Sequence, residues 1–97
     1  MNTSKTFLEI TLKINETNRK AAVGVYTKYK APFLTEVKGA KSKDLLIRNE
    51  DVQVLHGFDS VNNAQAYLES KIFSNDVVNE LTPLLEESPE IRIYSVF

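Results

Sequence analysis

Leu8, Ile10, Leu12 and Ile14 alternate without a break with Glu9, Thr11 and Lys13, and this period of two marks a strand with one face in a core. Phe7 adds an aromatic to the other face. The same alternation returns at the far end of the chain. There Ile91, Ile93, Ser95 and Phe97 alternate with Arg92, Tyr94 and Val96, so a strand is expected at each end.

Between these strands the period changes. Residues 15–18 offer capping chemistry, and residues 19–30 carry Ala22, Val25, Tyr26 and Tyr29 at i, i+3, i+4 and i+7, one stripe of a helix. Ala31-Pro32 is expected to end it, because the residue before proline avoids the α region. Gly39 with Lys38, Lys41 and Lys43 suggests a loop feeding an exposed strand start. Leu45-Leu46-Ile47, a turn at Asn49-Glu50-Asp51 and the β-rich run at residues 52–58 read as a hairpin. Ser60 caps a helix with Val61, Ala64, Leu68 and Ile72 on its apolar side. Ser74-Asn75-Asp76 restarts the capping signal before Val77, Val78, Leu81, Leu84 and Leu85, and Pro83 kinks or restarts that last helix.

The order is β-α-β-β-α-(α)-β, an α+β arrangement that predicts the ferredoxin-like βαββαβ plait with residues 1–97 in a single domain. In that plait helices cover only one sheet face. Phe7-Leu8, Leu45-Leu46-Ile47, Val54-Leu55 and Ile91 with Val96 nevertheless place hydrophobes on both parities. The simplest cover for the second face is a second copy of the sheet about a two-fold axis, so a homodimer is expected. Gln53, Leu55 and Gly57 then look toward the partner sheet, and His56 and Phe58 toward the chain's own helices.

Composition removes whole classes of function. A 42% hydrophobic and 26% charged chain suits a soluble globular domain rather than disorder. The absence of cysteine excludes disulfides, thiolate nucleophiles and Cys-ligated metal, and a single histidine excludes a histidine-rich metal site within one chain. Twelve basic against 13 acidic side chains set no field for nucleic acid or an anionic membrane. The start of the chain shows no secretory signal and no apolar run approaches a bilayer span, so a cytoplasmic location is expected. Glycine-rich phosphate loops, serine elbows and zinc-helix motifs do not occur.

Val54-Leu55-His56-Gly57-Phe58-Asp59-Ser60, followed by Ala64, Tyr67-Leu68, Ser70 and Ile72-Phe73, resembles the antibiotic-biosynthesis monooxygenase-type dimeric α/β barrels. The resemblance covers residues 52–73 best, with residues 91–97 again, and the first strand and helix fit in order and length. It implies a ligand cavity between sheet and helices, and a cofactor-independent monooxygenase acting on a small aromatic or quinol-type compound. A non-enzymatic ligand-binding or interaction module on the same dimeric fold is the alternative. The haem-degrading branch is similar around the second helix, but its ligating histidine falls near Val77 and its asparagine near Ile10, with Tyr67 at its tryptophan. Two aliphatic side chains there cannot hold haem iron. Quinol-type members often carry Glu and Trp where this chain has His56 and Phe58.

His56 is therefore the candidate catalytic base. It is the side chain whose ordinary pKa lies nearest neutrality, and it is suited to taking a proton from a phenol or dihydroxy-aromatic before reaction with oxygen. The competing reading is a core histidine bonded to a backbone carbonyl. Phe58, Tyr67, Tyr26, Tyr29 and Phe73 are the candidate substrate-binding walls, or else ordinary core aromatics. Lys38, Lys41, Lys43 and Arg48 read as a solvated edge guarded by lysines. No metal ligand set is expected.

Overall fold

The computed structural model describes residues 4–97. Strand β1 (Thr6–Leu12) is followed by a 3-10 turn at Glu16–Asn18 and helix α1 (Arg19–Glu36). The hairpin β2 (Ala40–Ile47) and β3 (Val52–Phe58) comes next, then α2 (Val61–Leu68) and the short α3 (Lys71–Phe73). A π-helical segment (Ser74–Leu81), a 3-10 turn (Thr82–Leu84) and β4 (Glu90–Ser95) complete the chain. The sheet order is β2-β3-β1-β4 with every neighbouring pair antiparallel, which is the ferredoxin-like plait. The sheet is open, with β2 and β4 at its edges.

Alternation in β1 is kept in full: Thr6, Leu8, Ile10 and Leu12 are buried and the residues between them are half-buried. β3 follows suit, with Val52, Val54, His56 and Phe58 turned to the helices and Gln53 and Leu55 to the open face. Gly57 is also buried on the open side, because Ser4 and Ser42 occupy the space where a Cβ would stand. The hairpin turn is tied by Arg48, whose Nε and Nη2 donate to the Asp51 carboxylate, each at 2.8 Å. This fork holds the Asp51 carboxyl down at about 2.

Three local expectations need correction. First, α1 does not stop at Ala31-Pro32 but continues through Pro32 to Glu36. A proline inside a helix costs about 3 kcal/mol. The next residue outweighs it: Phe33 is fully buried, and its ring sits 5.1 Å from His56, 5.5 Å from Phe58 and 5.1 Å from Tyr67. Burying a phenylalanine contributes about 1.5–3 kcal/mol, and each aromatic contact adds roughly 0.5–1.5. Second, β2 begins at Ala40, and its lysines are not all on a solvated edge. Lys43 shares the parity of Leu45, faces the helices and is buried, while Lys41 falls at a bulge between Ala40 and Ser42 and is exposed. Third, Ser74 does not cap a new helix. Ser70 does the capping, its Oγ accepting from the Phe73 N–H at 3.3 Å and donating to the Tyr67 carbonyl at 2.6 Å.

Ser60 caps α2 as expected, accepting from the Asn63 N–H at 3.2 Å. Gly39 adopts φ 81°, and a Cβ there would run into Asp59 and Asn63, whose side chains are hydrogen-bonded at 2.7 Å. Among the described residues no helix is long and apolar enough to cross a membrane. Phe33→Ala should destabilise the protein by about 3–5 kcal/mol, measured by urea denaturation. The exposed Val23→Ala on the same helix should change stability by about 0.5 kcal/mol or less. Similar losses at the two sites would show that the ring cluster is not what holds α1 on the sheet.

Candidate functional site

β2 and β3 place Lys43 directly opposite His56, and β1 places Leu8 on the other side of His56, so these three lie in one row across the helix-facing side of the sheet. The His56 Nδ1 lies 3.2 Å from the Leu8 carbonyl oxygen. A carbonyl only accepts, so Nδ1 carries the proton and Nε2 presents a lone pair. That Nε2 is buried and has no hydrogen-bond partner among the described residues. Burial, with the Lys43 charge next to it, drives the His56 pKa from 6.5 down to about 3, so the ring is neutral near pH 7.

Lys43 is almost entirely enclosed. Its Nζ donates to Asp76 Oδ2 at 2.8 Å, and the two side chains are 1% and 3% exposed. The ammonium also lies 5.5 Å from the Phe33 ring centroid and 6.0 Å from that of Tyr26. The Tyr26 hydroxyl donates to the Lys43 backbone carbonyl at 2.7 Å, tying α1 to β2 at this point. Desolvation lowers the Lys43 pKa and raises that of Asp76, each opposed by the attraction of the other, so the two proton affinities are drawn together. Among the described residues Asp76 Oδ1 has no partner and is buried, as is the Tyr67 hydroxyl.

Asp76 reaches this position from the π-helical segment, where the Thr82 N–H bonds to the Val77 carbonyl five residues back. The wider turn brings Asp76, Val77 and Leu81 together on the buried side. Runs of π-helix are rare, and they recur at functional sites. Between this segment, α1 and the sheet lies a hollow of about 10 Å³, room for one water-sized group. Its walls are aliphatic, among them Ile10, Val54 and Val77, with Tyr26, and its charged or polar side chains are Lys43, His56 and Asp76. Ile10 and Val77, the positions matched to haem-handling residues, thus line the hollow as aliphatics.

The expected site residues separate into three groups. His56 and Tyr26 line the hollow. Phe58, Tyr67 and Phe73 form the ring cluster beside it: Tyr67 lies 5.4 Å from His56, 5.8 Å from Phe58 and 5.4 Å from Phe73. Tyr67 also floors a surface groove of about 200 Å³ between the end of α1 and α2. Tyr29 is not brought in; its hydroxyl bonds to Glu80, which also pairs with Lys28 at 3.0 Å near the surface. Lys43, Asp76 and Phe33 were not among the expected site residues. The available signal was the shared parity of Lys43 with Leu45 and Ile47, and the stripe Phe73, Asp76, Val77, Leu81, each placing a charge in an apolar row. Among the described residues no cluster of His, Cys, Asp or Glu is arranged to hold a metal ion.

The same plait recurs in solved structures. A Caulobacter crescentus protein named "putative antibiotic biosynthesis monooxygenase" superposes with a TM-score of 0.82 at 14% identity, covering 99% of this chain and 92% of that one. A protein of unknown function from Nitrosomonas europaea gives 0.80 at 18% identity, with 99% and 92% covered. A Bacteroides thetaiotaomicron protein described as "possible oxidoreductase" gives 0.77 at 18%, with 99% and 100% covered. At these identities the likeness establishes the fold. No family model and no curated protein matches the sequence.

Two outcomes test this geometry. Removing either partner of the buried pair, by Lys43→Met or Asp76→Leu, should cost about 3–5 kcal/mol, and the double substitution should recover most of that loss. A double variant as unstable as the sum of the singles would show that the pair is not the coupled unit. The His56 shift has a definite sign: between about pH 6.5 and pH 3 the unfolded chain binds a proton that the native state refuses. Stability from this residue is therefore complete above pH 6.5 and falls with acid through that window. His56→Leu should flatten this fall, read as urea midpoints between about pH 7 and pH 4.

Proposed function

We propose that this protein is a homodimeric, cofactor-independent oxygenase of the antibiotic-biosynthesis monooxygenase type, acting on a small hydroxylated aromatic compound held between sheet and helices. The observation that carries this reading is that two side chains with buried polar atoms lacking partners among the described residues, His56 at Nε2 and Asp76 at Oδ1, line one apolar hollow together with the ion pair. An unpaired buried acceptor costs about 1–3 kcal/mol, which a ligand hydroxyl can relieve by donating to it. Apolar walls with a few convergent polar groups of perturbed pKa are the usual make-up of a small-molecule site. The names carried by several proteins of this fold point the same way.

His56 Nε2 and Asp76 Oδ1 are then the acceptors offered to the substrate's hydroxyl groups. Phe58, Tyr67, Tyr26 and Phe73 supply aromatic surface for a flat ring whose hydroxyl reaches into the hollow. Removal of the hydroxyl proton leaves an electron-rich anion that reacts with molecular oxygen. For an anthrone-type substrate the reacting CH2 carbon loses two hydrogens and gains one oxygen atom as a ketone, and the second oxygen atom leaves as water. The second reading, a ligand-binding module without turnover, draws on the small volume of the closed hollow, about 10 Å³.

The partner is a second copy. Phe7, Leu55, Leu46 and Tyr94 lie on the sheet face away from the helices, the last two 45% and 46% exposed, interspersed with Glu9, Thr11, Gln53 and Arg92. Packing two such sheets face to face buries the apolar members and lets the polar ones pair. Sedimentation equilibrium should give twice the 11.0 kDa chain mass, and a monomer at micromolar concentration would remove the dimer. Oxygen uptake with a panel of quinols and anthrones should exceed the buffer rate and fall at least about tenfold in His56→Ala. A rate equal to buffer across the panel, with a planar phenol still raising the melting temperature, would leave the binding module instead.

A further inference from the structure

We propose that Asp76, not His56, takes the proton of the bound hydroxyl, and that Lys43 then holds the resulting oxyanion. This rests on the reading above that a hydroxylated aromatic enters the hollow. The Asp76 carboxylate uses only one oxygen on Lys43, at 2.8 Å, while its Oδ1 is buried with nothing to accept from. Lys43 and Asp76 line the same hollow as His56, so a hydroxyl placed there lies beside a free carboxylate oxygen and an ammonium.

The transfer balances. The O–H bond of the substrate breaks, an O–H bond forms at Asp76 Oδ1, and the electron pair stays on the substrate oxygen. Before the transfer the ammonium faces a carboxylate; after it, the ammonium faces a phenolate. The hollow holds one cation and one anion both before and after the step, whereas transfer to His56 would add a second cation and a second anion to a site of low polarity. His56 cannot share that role, because its protonation would put two cations on directly opposed residues of β2 and β3. The drawn-together proton affinities of Lys43 and Asp76 support the same assignment.

The other groups facing this pair are accounted for. On α1, the Tyr26 hydroxyl is committed to the Lys43 carbonyl; on α2, Tyr67 is held firmly in its neutral form by burial. Glu80, one turn beyond Asp76, is engaged by Lys28 and Tyr29. Its charge favours the protonated form of Asp76.

The probe is 4-nitrophenol, whose anion is yellow and whose acid is colourless, added about one pH unit below its solution pKa. Binding to the native protein should generate the yellow band while releasing no proton to the buffer, seen as a binding enthalpy independent of the buffer's ionisation heat. Asp76→Asn should still bind the anion but release one proton per site, and Lys43→Met should bind without colour. Should either single variant fail to fold, His56→Leu decides: a yellow complex formed without proton release in that variant keeps Asp76 as the acceptor, and loss of the yellow band there makes His56 the acceptor and overturns the assignment. Colourless binding to the native protein, or a yellow complex with one proton released, overturns the assignment and leaves the proposed function standing. No binding of the probe, nor of any other phenol in the panel, overturns both.

Discussion

The Lys43–Asp76 ion pair at 2.8 Å sets the terms for everything packed around it. Withdrawing two charges from water costs several kcal/mol per ion even after relaxation, and their attraction repays this only where the geometry is closely held. Several separate features hold it. Unbroken alternation with Leu45 sets Lys43 inward opposite His56, the Tyr26 hydroxyl pins its carbonyl, and the Phe33 ring lies against the ammonium. The π-helical segment then delivers Asp76 from the opposite side. An aliphatic pair in these positions would pack without any of these arrangements.

The aromatic cluster is coupled to the pair through Phe33. That ring contacts His56, Phe58 and Tyr67 edge-on and also faces the Lys43 ammonium, so α1 must continue past Pro32 to put it there. The helix irregularities on either side of the hollow therefore have a shared origin. A proline is tolerated within α1 and wide turns within residues 74–81 because each segment is fixed by what it buries rather than by its own backbone bonding.

Much of the plait was legible in the sequence, since period-two and period-three-to-four patterns report which face of each element is buried. β1, β3 and the Ser60 cap follow from the residues alone, as does the inward parity of His56 and Phe58. Lys43 was hidden because it follows Lys38 and Lys41 and so reads as one more lysine of an exposed strand edge, although it shares its parity with Leu45 and Ile47. The extension of α1 was hidden because the gain from Phe33 depends on rings contributed by β3 and α2, far away in the chain. Asp76 resembled a capping residue because Ser-Asn-Asp is capping chemistry in most settings. Here Ser70 already caps the preceding turn, leaving Asp76 free to be drawn inward. The site thus escaped detection at the points where distant contacts override local preference.

The charge balance of the hollow also bears on what it will admit. With His56 neutral and Lys43 matched by Asp76, the enclosed charge is zero. A carboxylate entering as a preformed anion would leave one negative charge uncompensated among Ile10, Val54 and Val77, at a cost of several kcal/mol. An amine entering as a cation would meet the Lys43 ammonium. A neutral hydroxyl brings no charge, donates to an acceptor that otherwise has no partner, and acquires its charge only where an ammonium stands ready to receive it. On the proposed reading, the site therefore selects the protonated form of a weak acid and then favours its anion. The two preferences are compatible because the proton does not leave the hollow.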